Sequence, residues 1–329
     1  MKKFLNDPKF AVYEMMSGVV GAYPTLKQLG KYTTIVRKEL TKNTVGLVSG
    51  GGSGHEPAHW GYVGAGMLDA ACGGDIFTSP PSGQILEAIQ AVDQGQGVLL
   101  IIKNYTGDVL NFSLAADLAQ SQGIKVGSVV VNDDISIGDP EKRRGVAGTV
   151  FIHKVAGAMA ESGAPLSEVR RVAEKAIHNL ASIGVAIAPC VVPTAGRPTF
   201  TLEDDEMELG IGIHGERGIM RTAILSASAT CKTLFERLKE QFGSMDGEHV
   251  ALLLNGMGGT PTMELYLLNG IMHRLVYEAG ATICFNLVGE YMTALEMAGF
   301  SITIMRLDEE LKELLIAPTN APRFPSFLC

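Results

Sequence analysis

The sequence has few cysteines, no nucleotide-binding loop, no metal-ligand spacing and no excess of positive charge. Its five cysteines in 329 residues (Cys72, Cys190, Cys231, Cys284 and Cys329) are odd in number and scattered, with no CxxC pair. That argues against a zinc site or a disulfide framework and fits a reducing, cytoplasmic compartment. No GxxxxGK[ST] follows an apolar run, and no GxGxxG is followed by a ribose-binding acid, so neither a Walker loop nor a dinucleotide turn is expected. HExxH and paired-histidine spacings are missing, and no metal site is expected. No apolar run approaches a membrane span, and the N-terminal MKKFLNDPKF lacks an apolar stretch after its basic residues. Basic side chains number 27 against 35 acidic ones, a net charge of -8, which argues against a phosphate-tracking nucleic-acid surface.

What the chain does have is 46% hydrophobic and 19% charged residues, enough for a large core, together with 39 glycines. Apolar, β-branched runs at 45–49, 98–103, 126–132, 183–188, 250–254, 282–287 and 301–306 read as strands. Helical periods lie between several of them. Pro8 is placed to open one helix, with Val12, Met15, Met16, Val19 and Val20 on one face. Pro261 opens another that Gly280 caps, and 165–180 forms a third, with Arg170, Arg171, Glu174 and Lys175 outward. This alternation predicts an α/β fold with a largely parallel sheet covered on both faces. Pro189, Pro193, Gly196 and Pro198, followed by the acidic 203–206, mark a domain edge. The chain is divided on that basis into 1–183 and 184–329, with packing of the C-terminal segment back on the first domain as the alternative for that segment.

Four segments carry chemistry. Ser49-Gly50-Gly51-Gly52-Ser53-Gly54-His55-Glu56-Pro57 follows a strand and holds four glycines in five positions before a histidine. It reads as a turn whose bare N–H groups cradle oxygen atoms beside a titratable imidazole. Lys103-Asn104-Tyr105-Thr106-Gly107-Asp108 ends a second strand, where ligands bind in open α/β sheets. Asp108 is placed as a general base or as the N-cap of a helix starting at Val109, and the two uses are compatible. In Asp75–Pro81, Thr78 and Ser79 are candidate helix caps, with substrate contact as the alternative. Glu208–Glu216 is a strand-like run with alternating glycines around His214. A histidine satisfied inside a sheet is the plain reading there, and the flanking glycines keep a binding role open. His59 can share the first site by proximity; His153, His178, His249 and His273 read as ordinary.

The strings SGGGSGHEP (49–57), GDIFTSP (74–80), LLIIKNYTGD (99–108), RRGVAGTVFIHK (143–154) and MELGIGIHGE (207–216) resemble, in order, the dihydroxyacetone kinase substrate-binding subunits. The resemblance implies two α/β domains, one with a mostly parallel three-layer sheet and one with a mixed sheet, and a homodimer. It implies that His214 forms a covalent hemiaminal with the carbonyl carbon of dihydroxyacetone. His55 and Asp108 would be acid–base groups at the hydroxyls, and Gly52, Ser53, Gly54, Lys103 and Ser79 would contact the substrate. The donor phosphoryl group would come from a partner subunit carrying ADP and Mg, with no cofactor in this chain. A non-kinase branch of the family binds dihydroxyacetone as a signal and coactivates a TetR-type transcription factor. The sequence departs from the usual pattern in a shortened 132–144 segment, in Arg217 where proline is common, in the bulky Trp60, and in its 323–329 tail. These departures leave the proposed site residues in place and bear on which partner is read.

Overall fold

The structure is a computed structural model that describes residues 2–325. Residues 326–329 of the atypical tail, Cys329 among them, lie outside the described residues. Two compact units are present. The first holds 2–131, 150–177 and 313–325; the second holds 132–149 and 178–312. The crossing at 177/178 lies a few residues before the 183/184 division read from sequence, and the C-terminal segment belongs to the unit that holds 2–131.

The first unit is built on a six-stranded sheet of β1 (Leu26–Gln28), β2 (Thr34–Arg37), β3 (Gly46–Ser53), β4 (Ala70–Ile76), β5 (Val98–Lys103) and β6 (Val126–Val131), in the order β1-β2-β4-β3-β5-β6. β4, β3, β5 and β6 run parallel, and β1 and β2 are added antiparallel at one edge. The helices are α1 (Ala11–Ala22), α2 (Ser82–Val92), α3 (Thr106–Ser121), α4 (Thr149–Glu161) and α5 (Leu166–His178). On one face Val48, Leu100 and Ile102 pack with Ile85, Ile89, Phe112 and Ala115 of α2 and α3. The alternate residues Leu47, Leu99 and Ile101 are equally buried. Both faces of the central strands are therefore covered, which is why these strands read as unbroken apolar runs. α1 begins at Ala11, later than Pro8, because the Asp7 carboxylate accepts the Lys9 N–H at 3.0 Å and closes a turn ahead of the helix.

The second unit has β7 (Leu180–Ala188), β8 (Glu206–Leu209), β9 (Met220–Ala223), β10 (His249–Gly256), β11 (Thr282–Gly289) and β12 (Ala298–Leu307), in the order β11-β10-β12-β7-β8-β9. β10 and β11 run parallel and the other pairs are antiparallel, so this sheet is mixed. α6 (Ala227–Phe242) and α7 (Thr262–Glu278) pack Leu234, Phe235, Leu265 and Met272 against Ile183, Leu252 and Ile302. Pro261 is the N-cap of α7, and Gly280, at φ +83°, follows its end. A short α8 (Glu309–Ile316) spans the last crossing. The expected pair of a mostly parallel and a mixed α/β sheet is what the chain forms.

Candidate functional site

In the first unit the glycine-rich segment is strand, not turn, as far as Ser53. β3 is buried along its whole length, and Gly50, Gly51 and Gly52 pair with Cys72, Gly73 and Gly74 of β4. The glycines serve close approach rather than an oxygen cradle. A Cβ on Gly51 would lie 2.1 Å from Lys103 Nζ, and one on Gly52 would lie 2.5 Å from the Thr78 nitrogen. The turn starts at Gly54, whose N–H is already taken by the Glu56 carboxylate at 3.0 Å. His55 follows, fully buried, with its ring stacked on Phe77 at 5.0 Å. Ser53 Oγ donates to the Gly74 carbonyl at 2.7 Å.

Lys103 ends β5 and is 1% exposed; Asp108 is 4% exposed. Lys103 Nζ donates to the Gly50 carbonyl at 3.0 Å and stands 3.4 Å from Asp108 Oδ2. Asp108 is not the helix cap: α3 begins at Thr106 with Tyr105 as N-cap, and Asp108 lies in its first turn. There it faces the N-terminal end of the helix as well as Lys103. Thr78 and Ser79 do not cap α2 either, because the N-cap is Pro81. Thr78 Oγ1 bonds the Ile76 carbonyl at 3.3 Å, and Ser79 Oγ accepts from Asn111 Nδ2 at 3.3 Å. A Cβ on Gly107 would lie 3.2 Å from Ser79 Cβ, so Ser79 sits against the start of α3. The structure thus gathers Gly51, Ser79, Lys103 and Asp108 at the carboxyl ends of the parallel strands, where an open α/β sheet binds its ligand.

Two buried histidines extend this group, His59, which the sequence had placed near it, and His153, which it had not. Lys103 Nζ is 3.1 Å from His59 Nε2, and His59 Nδ1 is 2.9 Å from His153 Nε2 on α4. Burial, and then the Lys103 charge, push His59 well below the usual histidine range and His153 down to about 3. His59 was readable from its spacing to His55. Nothing in the sequence pairs position 153 with it. A separate cleft of about 370 Å³ in this unit, lined by Arg37, Thr41 and Asn320 among others, shares none of these residues.

In the second unit His214 lies in the connection 210–219, not in a strand, because β8 ends at Leu209 and Gly210 turns the chain at φ +76°. The Glu216 carboxylate folds back over the loop. Its Oε2 accepts the His214 backbone N–H at 2.9 Å and its Oε1 meets His214 Nδ1 at 2.9 Å. Gly212 makes room, since a Cβ there would lie 2.1 Å from Glu216 Oε2. Arg144 Nη1 is 4.0 Å from the same oxygen, and Arg144 is itself held by Asp134, Ser136 and the Gly210 carbonyl. Burial raises the Glu216 pKa, but the His214 hydrogen bond and the His214 and Arg144 charges outweigh it and bring it down to about 2. An ionised carboxylate only accepts, so Nδ1 carries a proton, and this is the tautomer of the imidazole whose lone pair lies on Nε2. The His214 side chain is 21% exposed. Among the described residues no group of three or more His, Cys, Asp or Glu is arranged to hold a metal ion, and no helix is long and apolar enough to cross a membrane.

The model of the Dak1 domain matches residues 17–323. The chain is 51% identical over 314 residues to the dihydroxyacetone-binding subunit DhaK of PTS-dependent dihydroxyacetone kinase 1 from Listeria innocua, covering 94% of this chain and 95% of that one. It is 44% identical to the DhaK subunit of the Escherichia coli PEP-dependent enzyme, over 98% of both chains. Among solved structures it resembles the dihydroxyacetone kinase operon co-activator Dha-DhaQ, with a TM-score of 0.90 and 37% identity over 94% of this chain and 97% of that one. It also resembles the dihydroxyacetone kinase of C. freundii in complex with AMP-PNP and Mg2+, with a TM-score of 0.88 and 36% identity over 99% of this chain and 61% of that one.

Proposed function

The chain belongs to the Dak1 domain family, and from that premise we propose that it is the dihydroxyacetone-binding subunit of a phosphotransferase-linked dihydroxyacetone kinase, with its substrate joined to His214 as a hemiaminal. The Glu216 clamp carries the covalent part of this reading. It turns Nε2 into the nucleophilic atom of the ring. The Nε2 lone pair adds to the ketone carbon, the carbonyl π pair moves to oxygen, and the oxygen takes a proton from water to become a hydroxyl. Nδ1 loses its proton through Glu216 to the resulting hydroxide, so the adduct is neutral and Glu216 is again a carboxylate. Glycerol has no carbonyl and cannot form this bond, so the site selects against it more sharply than hydrogen bonds alone would.

His55 and Asp108 are assigned as acid–base groups at the substrate hydroxyl, and Lys103, Ser79, Gly52, Ser53 and Gly54 as substrate contacts, on the motifs quoted above. Asp108, buried beside Lys103, is suited to take the hydroxyl proton. Phosphoryl transfer is then in-line positioning against a donor on a nucleotide-bearing partner with ADP and Mg. The protein acts in the cytoplasm as a homodimer.

Carbon-13 NMR with dihydroxyacetone labelled at the carbonyl carbon tests the covalent step. A saturable, protein-broadened tetrahedral-carbon signal is expected in the wild type and not in His214→Ala. A signal that persists in His214→Ala refutes the assignment.

A second reading, a non-catalytic coactivator of a TetR-type factor, is supported by the end-to-end likeness to Dha-DhaQ. The higher identity to the Listeria innocua kinase subunit favours the first. Both keep the His214 adduct. Turnover with a nucleotide-bearing subunit, against ligand-dependent capture of a TetR-type regulator, separates them.

A further inference from the structure

Behind Asp108, Lys103 leads to two buried histidines, His59 and His153, to which the proposed phosphoryl chemistry gives no direct part. Asp108 Oδ2 is 3.4 Å from Lys103 Nζ, Lys103 Nζ is 3.1 Å from His59 Nε2, and His59 Nδ1 is 2.9 Å from His153 Nε2. All four residues are buried, His153 completely. Donor and acceptor roles follow from the ammonium. It has three N–H donors and no lone pair, and its three neighbours are the Gly50 carbonyl, the Asp108 carboxylate and His59 Nε2. His59 Nε2 must accept. The proton of the neutral His59 ring then sits on Nδ1 and is donated to His153 Nε2. The proton of His153 sits on its own Nδ1, a buried atom with no hydrogen-bond partner among the described residues.

The opposite polarity would make that last atom a bare lone pair, but it requires Lys103 to give up a proton. The direction of the whole chain is therefore tied to the charge of Lys103. Both imidazoles are kept neutral by burial and by Lys103, and His55 is the other titratable side chain that bears on His59. We propose that His59 and His153 are positioning residues. They form a one-directional hydrogen-bonded wire that fixes the Lys103 side chain in place against Asp108, so that Asp108 is held in position for the substrate. The proposal rests on the reading of Asp108 as the acid–base group.

Two measurements on the full chain test it. In long-range proton–nitrogen spectra of nitrogen-15-histidine-labelled protein, assigned with His59→Gln and His153→Gln, both residues are expected as neutral Nδ1–H tautomers through the neutral pH range. An Nε2–H tautomer or an imidazolium at either position overturns the proposal. In turnover with a nucleotide-bearing subunit, His153→Phe removes the acceptor for His59, and kcat is expected to fall about ten- to a hundredfold, the effect of losing a hydrogen bond in a charged chain. His153→Gln retains an acceptor and should stay within about twofold of wild type by the same reckoning. The labelled-carbon adduct on His214 should still form in both variants at saturating dihydroxyacetone. An intact adduct with equal kcat in His153→Phe overturns the wire. An adduct missing from the wild type overturns the proposed function instead, and the tautomer spectra then still decide the wire.

Discussion

Replacing Glu216 by glutamine probes the proposed nucleophile without touching the imidazole. The wild-type carboxylate accepts two hydrogen bonds from one residue, the His214 backbone N–H and Nδ1–H, both at 2.9 Å. An amide has one acceptor and one NH2. If its oxygen faces Nδ1, the NH2 meets the His214 backbone N–H and lies on the Arg144 side, donor against donor. If it turns over, the NH2 faces Nδ1 and selects the Nε2–H tautomer, which removes the attacking lone pair. Either arrangement loses at least one hydrogen bond to a charged acceptor, worth about 1.5–3 kcal/mol. Dihydroxyacetone affinity should therefore weaken about ten- to a hundredfold, since each 1.4 kcal/mol is a factor of ten. The readout is a titration of the labelled-carbon adduct, with cooperative thermal unfolding as the check that the loop still folds. The pH response adds a second constraint. With Glu216 held at about 2 against 4.5 unfolded, its stabilisation is fully present above pH 4.5 and is lost as pH falls toward 2. Wild-type and Glu216→Gln stabilities should converge in acid. Wild-type affinity in Glu216→Gln at neutral pH would refute the tautomer argument.

Two other changes have clear directions. Gly51→Ala would place a methyl group 2.1 Å from Lys103 Nζ in a strand buried on all sides, so Lys103 must leave the Gly50 carbonyl or the strand must shift. A loss of about 1–3 kcal/mol is expected by urea unfolding, as for overpacking elsewhere, and an unchanged midpoint would show that the strand yields freely. Burial raises the Asp133 carboxyl to about 6 from 3.8, against the hydrogen bonds from Ser182, Val146 and Gly148. Its folded form binds the proton more tightly than its unfolded form, so its contribution to stability declines as pH rises from about 4 to about 6. Asp133→Asn should remove that slope from the unfolding free energy measured across the interval, and a slope unchanged in the variant would place its origin elsewhere.

What was legible in the sequence follows from how much of each signal is local. β3, β5, β7, β10 and β12 are apolar runs that bury themselves, β6 and β11 are apolar runs at sheet edges that are only partly buried, and all seven were readable as strands. β1 and β2 were not, at three and four residues, because pairing at the sheet edge defines them more than composition does. β4, with the sequence AACGGDI, has little side chain to declare a strand, and its glycines answer those of β3 across the ladder. The same cause turned the expected glycine turn into a strand. Glycine permits a turn, but here it permits Lys103 and the Phe77–Thr78 backbone to come close, and only the neighbours decide between the two.

The site shows the limit more sharply. Asp108 as a general base and Asp108 as a helix cap were compatible in sequence. The structure removes the second by starting α3 at Thr106, and it buries Asp108 beside Lys103. His214 was named by its motif, but the residue that sets its tautomer is Glu216, two positions on, in the same quoted string. A carboxylate two residues from a histidine reaches the ring only where the backbone turns between them, and that turn depends on Gly210, Gly212 and Gly215 acting together. His153 lay furthest from view. Its role comes from one ring nitrogen facing His59 across 94 positions of sequence. A helix residue of that kind carries no local sign of function, because its chemistry is made by the partner's tautomer, which Lys103 fixes in turn.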